Sequence, residues 1–350
     1  MKKINLLIIG MGRASRQLSE YLVSKPWFHL AGVVDIDPEA QANACTYFKR
    51  EDVPWYPDLD KALGETSADA VIINTHAWLH YEHAQKCLDA GLHVIVAKPF
   101  THSFESALKL VDKAAKKSLK LCVAQQARYT RHFRSLNQFV QGNELGRIST
   151  ASYINRVVRP DAGNLGDVPE PVLSELSSHH FDTILTSFEG SDPEWVMCHA
   201  YKAPWSPYEG HCMVDAMFAF EGGIQLLYHA GFSHDESKYE FHLQGEAGFL
   251  NCRGKHFIGA ETEYIIGSNG KDPCGIDLEK RQPSDPAWSV FLDQWHRYLV
   301  GDEEPPFAGR GNLKIMAMID AAIESSAKGE RVALKDNSRY HQAFTPSTIS

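Results

Sequence analysis

The chain has 350 residues, of which 43% are hydrophobic and 23% are charged, and its formal net charge at pH 7 is −9. A chain of this length and composition is typical of a globular protein with room for two hydrophobic cores. Because nucleic acids and anionic membranes bind basic surfaces, the negative charge argues against both as main partners, and we expect a small-molecule partner.

The first stretch of the chain predicts a strand, a tight turn and a helix. Mostly branched apolar residues at 4–9 run into the turn Gly10, Met11, Gly12, Arg13, Ala14 and Ser15, and an amphipathic pattern follows. Gly10 suits the turn, and Gly12 leaves room for a pyrophosphate beside the N–H groups of the helix N-terminus. The residues from Gly10 to Ala14 are therefore candidate ligands of a dinucleotide, although Ser15 replaces the third glycine of G-x-G-x-x-G. A glycine-rich turn that binds nothing has the same pattern.

The second predicted strand, at residues 29–34, ends in Asp35. A carboxylate at this place accepts hydrogen bonds from the adenosine ribose and repels a 2′-phosphate, so the sequence predicts NAD in preference to NADP. Asp37 is a second candidate, but Asp37-Pro38 is better explained as an N-cap followed by proline at the first helical position.

Short apolar runs continue to alternate with helical patterns as far as residue 124. The further predicted strands are 53–56, 70–74, 93–97 and 120–124, and the predicted helices are 38–48, 81–90 and 104–117. This β-α-β spacing predicts a doubly wound parallel sheet, a Rossmann domain over residues 1–124. Because ligands bind beyond the carboxyl ends of such strands, Gly10, Asp35, Thr75, Lys98 and Gln126 should lie along one edge.

Beyond Gly146 the pattern changes to successive strand-like runs, at 148–157, 195–201, 212–220, 224–232, 239–244 and 262–266. Glycine-rich turns at 221–223 and 245–248 indicate hairpins. The sequence therefore predicts a second, α+β domain over residues 125–350, with a mainly antiparallel, open-faced sheet that binds substrate and forms an oligomer. Helices are predicted at 288–299 and 313–328.

Lys98 directly follows a fully apolar strand and precedes Pro99. This position is at the mouth of the predicted cleft, so we expect Lys98 to point into a nicotinamide pocket. The alternative is a surface lysine at a strand end.

A second polar stretch contains Glu175, His179 and Asp182. On a regular helix these residues share one face, and a carboxylate beside an imidazole helps a histidine to accept a proton from an alcohol. We interpret His179 as the general base and His180, which faces away, as structural. A zinc site is the rival interpretation, but the spacing is not H-E-x-x-H and no third ligand is suitably placed, so no metal is predicted.

These residues resemble the family of glucose-fructose oxidoreductase, inositol dehydrogenase and the MocA proteins (Gfo/Idh/MocA) over roughly residues 3–334. The resemblance lies in the turn 10–15, Asp35, Thr75 with Leu79-His80, Ala90 to Val94, Lys98-Pro99, Arg128-Tyr129, Glu144 to Arg147, and Glu175 with His179 and Asp182. It implies that Lys98, Glu175 and His179 form the catalytic set and also contact the substrate. Thr75, His80, Lys98 and Gln126 join the cofactor-binding candidates.

Three positions depart from the family pattern. Ala97 replaces a glutamate, His76 replaces a proline, and Glu175 replaces an aspartate. The last change keeps the charge, whereas the loss of a carboxylate at Ala97 motivates the alternative of a regulator without turnover.

The leading hypothesis is an NAD-dependent oxidoreductase acting on a secondary hydroxyl of a sugar, cyclitol or related polyol. The alternatives are a glycoside hydrolase or lyase that oxidises its substrate transiently through NAD, and an NAD-binding regulator without turnover. Arg128, Arg156 and Arg159 are candidate substrate ligands. The last two would suit a carboxylate or phosphate, or they are solvated loop arginines.

The cellular location is also predicted. The seven cysteines are scattered and odd in number, as is typical of a reducing compartment. No apolar run reaches 18 residues, and the first strand is too short for a signal peptide, so we expect a cytoplasmic protein.

The oligomeric state is predicted from the second sheet. Both faces of the strands at 212–220 and 224–232 are apolar, which predicts a homodimer or homotetramer joined through this sheet. Alternatively, the helix at 313–328 covers the second face.

Overall fold

A computed structural model of the chain describes residues 3–258, 261–268, 270–301 and 303–345. The chain divides into two compact units, Met1–Gln126 with Ala287–Leu313, and Ala127–Pro286 with Lys314–Ser350. The first division lies two residues from the predicted boundary. The return of Ala287–Leu313 to the first unit differs from the prediction, because an amphipathic pattern does not reveal which core a helix packs against.

The strands of the described residues form two sheets. The first contains β1 (Ile4–Ile9), β2 (Phe28–Val34), β3 (Trp55–Tyr56), β4 (Ala70–Ile73), β5 (His93–Val96) and β6 (Leu121–Val123). The second contains β7 (Ile148–Val158), β8 (Pro193–Tyr201), β9 (Met213–Phe220), β10 (Ile224–Gly231), β11 (Ser233–Gly245), β12 (Gly248–Gly254), β13 (Glu263–Ser268), β14 (Cys274–Ile276) and β15 (Val332–Ala333).

The α-helices are α1 (Arg13–Leu22), α2 (Ala40–Phe48), α3 (Leu59–Glu65), α4 (His80–Asp89), α5 (Phe104–Lys116), α6 (Arg131–Gln141), α7 (Ser177–Ser187), α8 (Ala287–Gly301), α9 (Gly309–Lys328) and α10 (His341–Phe344). A π-helical turn, Val172–Leu176, directly precedes α7. Short 3₁₀ turns include Ala77–Leu79 and Gln126–Tyr129.

The sheet of the first unit is parallel throughout, in the order β3-β2-β1-β4-β5-β6. Its central strands are buried along nearly their whole length, which explains why they appear in the sequence as continuous apolar runs. The predicted doubly wound sheet is confirmed.

Helix α8 belongs to this first unit through one buried cation. The Nζ of Lys25, a residue only 8% exposed, donates to Ser289 Oγ at 2.8 Å and to Asp293 Oδ1 at 2.5 Å. Beside them, the rings of Phe28 and Trp295 stack with centroids 5.1 Å apart. The buried ammonium needs these partners, so the contact fixes α8 on this core.

The sheet of the second unit has the order β14-β13-β12-β11-β7-β10-β9-β8-β15. Among the strands that the structure describes in this sheet, only β10 and β7 pair in parallel, so the predicted, mainly antiparallel sheet is confirmed. Helix α7 covers one face, where Phe181 packs against Phe218 and Tyr228 with ring centroids 5.2 Å apart in each case.

Candidate active site

The turn after β1 has the geometry that a bound pyrophosphate requires. Gly10 has φ = +87°, and a Cβ there would lie 2.8 Å from the carbonyl carbon and oxygen of Asn74, so only glycine fits. Helix α1 starts at Arg13 with no side-chain cap, and a Cβ built at Gly12 would meet nothing within 4 Å. The first N–H groups of a helix have no partner within the helix and form the positive end of its dipole, and Arg13 and Ala14 at this end of α1 are exposed.

Ser15 performs the role expected of a third glycine and adds two hydrogen bonds. Its buried hydroxyl donates to the Gly10 carbonyl oxygen at 2.6 Å and accepts from Asn74 Nδ2 at 2.8 Å. These bonds hold the turn, α1 and the end of β4 together. Asn74 was not among the predicted site residues, although its position directly after β4 is a signal for this role.

Asp35 lies beside this turn. Its Oδ2 accepts from the Met11 N–H at 2.7 Å and its Oδ1 accepts from the Asp37 N–H at 3.0 Å. A carboxylate oxygen accepts more than one hydrogen bond, so half-exposed Asp35 keeps lone pairs for ribose hydroxyls. Asp37 differs from the predicted N-cap: its Oδ1 accepts from the Glu39 N–H at 2.9 Å, and α2 begins only at Ala40.

The five residues predicted to share one sheet edge do so. Gly10, Asp35, Thr75, Lys98 and Gln126 each follow the carboxyl end of a parallel strand by one to three residues. Lys98 and Gln126 are half-buried, and the Lys98-Pro99 peptide bond is cis.

His80, predicted to contact the cofactor, makes internal hydrogen bonds. The side chain is buried, with Nδ1 at 2.7 Å from the Pro99 carbonyl oxygen and Nε2 at 3.1 Å from the Thr75 carbonyl oxygen. It links the segments that follow β4 and β5, which carry Thr75 and Lys98. The Thr75 hydroxyl lies 3.2 Å from Nδ1 of His83, whose pKa is lowered by burial.

In the second unit, Glu175 and His179 do not lie on one regular α-helix as predicted. Glu175 is half-buried in the π-helical turn, where the Ser177 N–H bonds to the Val172 carbonyl five residues back, and His179 is buried in α7. The Ser177 hydroxyl also donates to Val172, at 3.0 Å, and lies 2.7 Å from the Tyr228 hydroxyl. The wider turn rotates Glu175 relative to the face predicted for it, and π-turns recur at functional sites.

Arg128 and Asp182 form a buried ion pair. The Arg128 guanidinium donates to both carboxylate oxygens of Asp182, from Nε at 3.0 Å and from Nη2. Burial disfavours the charge on Arg128, but the carboxylate outweighs burial and raises the pKa of the guanidinium. Arg128, predicted to contact substrate, anchors α7 to the segment before α6 through this pair.

The two other predicted arginines lie near the end of β7. Side chains alternate along β7, and Tyr153 is on the α7 side, 4.8 Å from the His180 ring, so Arg156 is on the opposite face. Arg159 follows β7, with its guanidinium 5.2 Å from the centre of the Phe232 ring. The structure therefore does not bring Arg156 together with His179.

His180 is fully buried, and its Nδ1 lies 2.8 Å from the Tyr228 hydroxyl. Its ring meets that of Phe257 edge-on at 4.7 Å. These contacts agree with the structural role predicted for it. Among the described residues, no three His, Cys, Asp or Glu side chains are grouped so as to hold a metal ion, and no helix is long and apolar enough to cross a membrane.

Comparison with known proteins gives a consistent result. Residues 4–125 match the family model described as the Gfo/Idh/MocA oxidoreductase family, NAD-binding Rossmann fold. An uncharacterized oxidoreductase of Schizosaccharomyces pombe is 33% identical over 263 residues, which are 72% of this chain and 66% of that protein. A second, from Escherichia coli, is 28% identical over 54% of this chain and 55% of its own length, so the matches span about half to two thirds of these two relatives.

Two further proteins match over nearly their whole length. The inositol 2-dehydrogenase of an Arthrobacter strain is 24% identical over 96% of this chain and 97% of that protein. The WlbA dehydrogenase of Chromobacterium violaceum, solved in complex with NADH and UDP-GlcNAcA, superposes with a TM-score of 0.84 at 23% identity, covering 96% of this chain and 97% of that chain.

Proposed function

The chain belongs to the Gfo/Idh/MocA family of NAD-binding oxidoreductases acting on CH–OH groups, and from this premise we propose that it oxidises a secondary hydroxyl of a sugar, cyclitol or related polyol, or reduces the corresponding ketone. The similarity to an inositol 2-dehydrogenase over 97% of that protein supports this substrate class. NAD supplies the hydride acceptor when it is bound.

The observation that carries the proposal is the turn after β1. Its open space at Gly12, its uncapped helix end and the Asp35 carboxylate bonded to the Met11 N–H fit a dinucleotide with an unphosphorylated adenosine ribose. The space at Gly12 and the uncapped helix end suit the pyrophosphate, and the Asp35 carboxylate suits the ribose.

Our proposal for catalysis assigns three side chains. His179 takes the hydroxyl proton as general base, Glu175 stabilises the resulting imidazolium, and Lys98 donates a hydrogen bond to the reacting oxygen. Support comes from the resemblance in sequence, from the position of Lys98 two residues beyond β5, and from the burial of His179, which shields the proton it receives from bulk water. Arg159 remains a candidate ligand for an acidic group on the substrate.

The test is a screen of cyclic polyols, open-chain polyols, sugar acids and sugar phosphates for NADH formation, followed at 340 nm. Steady NADH formation with a free polyol supports the proposal. Glycoside cleavage without net NADH would point instead to the hydrolase or lyase alternative. NAD binding without either reaction would point to a regulator.

A further inference from the structure

The segment after β4 carries an aromatic pair that the proposed chemistry does not use. The rings of His76 and Trp78 are stacked, with centroids 4.4 Å apart and planes inclined by 4°. Trp78 is nevertheless 53% exposed. An indole costs free energy when it is left in water, so a half-exposed, pre-oriented indole is suited to receive a flat apolar surface.

The pair is held on a fixed backbone. Trp78 lies in the 3₁₀ turn Ala77–Leu79, whose Leu79 N–H donates to the His76 carbonyl at 2.9 Å. Thr75 and His80 flank this segment. The ring of buried His80, the first residue of α4, hydrogen-bonds to the Thr75 carbonyl oxygen. A ring in this place is already ordered before a ligand arrives, so binding loses little conformational entropy there.

The order of the strands indicates which part of a bound dinucleotide lies near the segment after β4. Asp35, which follows β2, and the turn after β1 are suited to the ribose and the pyrophosphate, so the second nucleoside of a dinucleotide extends to the other side of β1. That side is β4, where Thr75 is the second residue beyond the strand. Trp78 lies three residues further along, beyond the position at which the cofactor is expected to meet the protein.

We propose that Trp78, oriented by His76, is the residue on which the ring of a cyclic polyol or sugar stacks. The inference rests on the proposed function and extends it by naming a cyclic substrate. The C–H hydrogens on one face of such a ring carry a small positive charge and meet the negative face of the indole. The attraction is the same as that between the edge hydrogens of one aromatic ring and the face of another. An open-chain polyol lacks this rigid face.

The decisive experiment compares Trp78→Ala, Trp78→Phe and His76→Ala with the native protein. The matched control is Trp205→Ala, which removes an indole that is 75% exposed and lies in the second unit. The measurements are KM and kcat with myo-inositol, D-glucose and D-sorbitol, and the Kd of NAD by calorimetry.

We expect Trp78→Ala to raise KM for the cyclic substrates about 3- to 10-fold, within the range of a single aromatic contact. The Phe variant should recover most of this loss, and His76→Ala should cause a smaller rise. The KM for D-sorbitol, the Kd of NAD and the kinetics of Trp205→Ala should all stay within about twofold of the native values.

Three results with Trp78→Ala would overturn the inference. The first is unchanged KM values for the cyclic substrates, and the second is an equal rise in the KM for D-sorbitol. The third is a weaker Kd for NAD that accounts for the whole effect, which would assign the Trp78 ring to nicotinamide. If the native protein turns over no polyol, the proposed function fails separately. In that case calorimetry of myo-inositol and D-glucose with the NAD-loaded protein decides, since binding that Trp78→Ala loses supports the stacking role and absence of binding refutes it.

Discussion

Asp35 is the residue on which cofactor choice depends. Asp35→Ala should weaken NAD binding by about 10- to 100-fold, the effect of losing a charged hydrogen bond, and should narrow the preference for NAD over NADP. Asp35→Asn keeps an acceptor for the Met11 N–H, so it isolates the effect of charge on the 2′-phosphate. Asp37→Ala is the matched control and should change little. Calorimetric titration in which NADP equals NAD for the native protein would contradict the assignment.

At the same scale, Lys98 and His179 carry the proposed chemistry. Lys98→Met and His179→Ala should each lower hydride transfer by about a hundredfold or more while NAD still binds, because a general acid or base contributes about 10² to 10⁴ in rate. Stopped-flow measurement of NADH formation checks this. Hydride transfer at a near-native rate in either variant would remove that residue from the mechanism.

His180→Ala serves as the neighbouring control for these variants. We expect turnover close to native in the folded protein. Because the variant leaves the buried Tyr228 hydroxyl without its imidazole partner, it should also unfold at a lower denaturant concentration.

Helix α7 shows what an element needs in order to hold a polar site in a core. It carries buried His179, His180 and Asp182, and the Arg128–Asp182 pair is its link to the chain before α6. Asp182→Asn leaves the Arg128 charge buried without its carboxylate and should lower the free energy of unfolding by about 3–5 kcal/mol, measured in urea.

The control for this prediction is Glu263→Gln, which removes the exposed Arg253–Glu263 pair at 2.9 Å and should cost far less. Equal losses in the two variants would mean that the buried pair does not anchor α7. Arg128→Lys separates the roles of Arg128: a higher KM at unchanged stability would restore it as a substrate ligand.

At the scale of the whole molecule, the face of the second sheet opposite α7 bears an apolar row. Met197, Met217 and Leu227 are direct cross-strand neighbours on β8, β9 and β10, and they are 40%, 38% and 56% exposed. Ser325 of α9 lies 4.0 Å from Met197 Sδ, yet all three side chains stay this exposed, so α9 covers the row only in part. Cover by this helix was the alternative to an oligomer. We predict that a second copy covers it, by two-fold pairing in a homodimer or within a homotetramer.

Sedimentation at micromolar concentration tests the oligomer. Met217→Asp should shift the protein toward monomer, whereas Val300→Asp, at an exposed apolar position on α8, should leave the assembly intact. A native species that remains at 39.2 kDa would refute the prediction.

Local patterns in the sequence determined much of this protein. The buried parallel strands, the turn at Gly10, the carboxylate at Asp35 and the antiparallel runs beyond residue 146 were all predictable, because each depends on residues within one or two turns of chain. Helices α3, α6 and α10 and strands β12, β14 and β15 were missed. All of these except α6 are at most seven residues long, too short for a clear hydrophobic period, whereas the amphipathic pattern of α6 was sufficient to predict it.

Only the tertiary structure decided which distant groups meet. Asp182, the partner of Arg128, is 54 residues away along the chain, and Lys25, which binds α8, lies more than 260 residues before Asp293. The Ser177 hydroxyl, which bonds within the π-turn, also reaches Tyr228 on β10. Burial makes such pairings necessary, because a charge or polar group without water must find a partner wherever the fold supplies one. Spacing along the chain does not encode that choice.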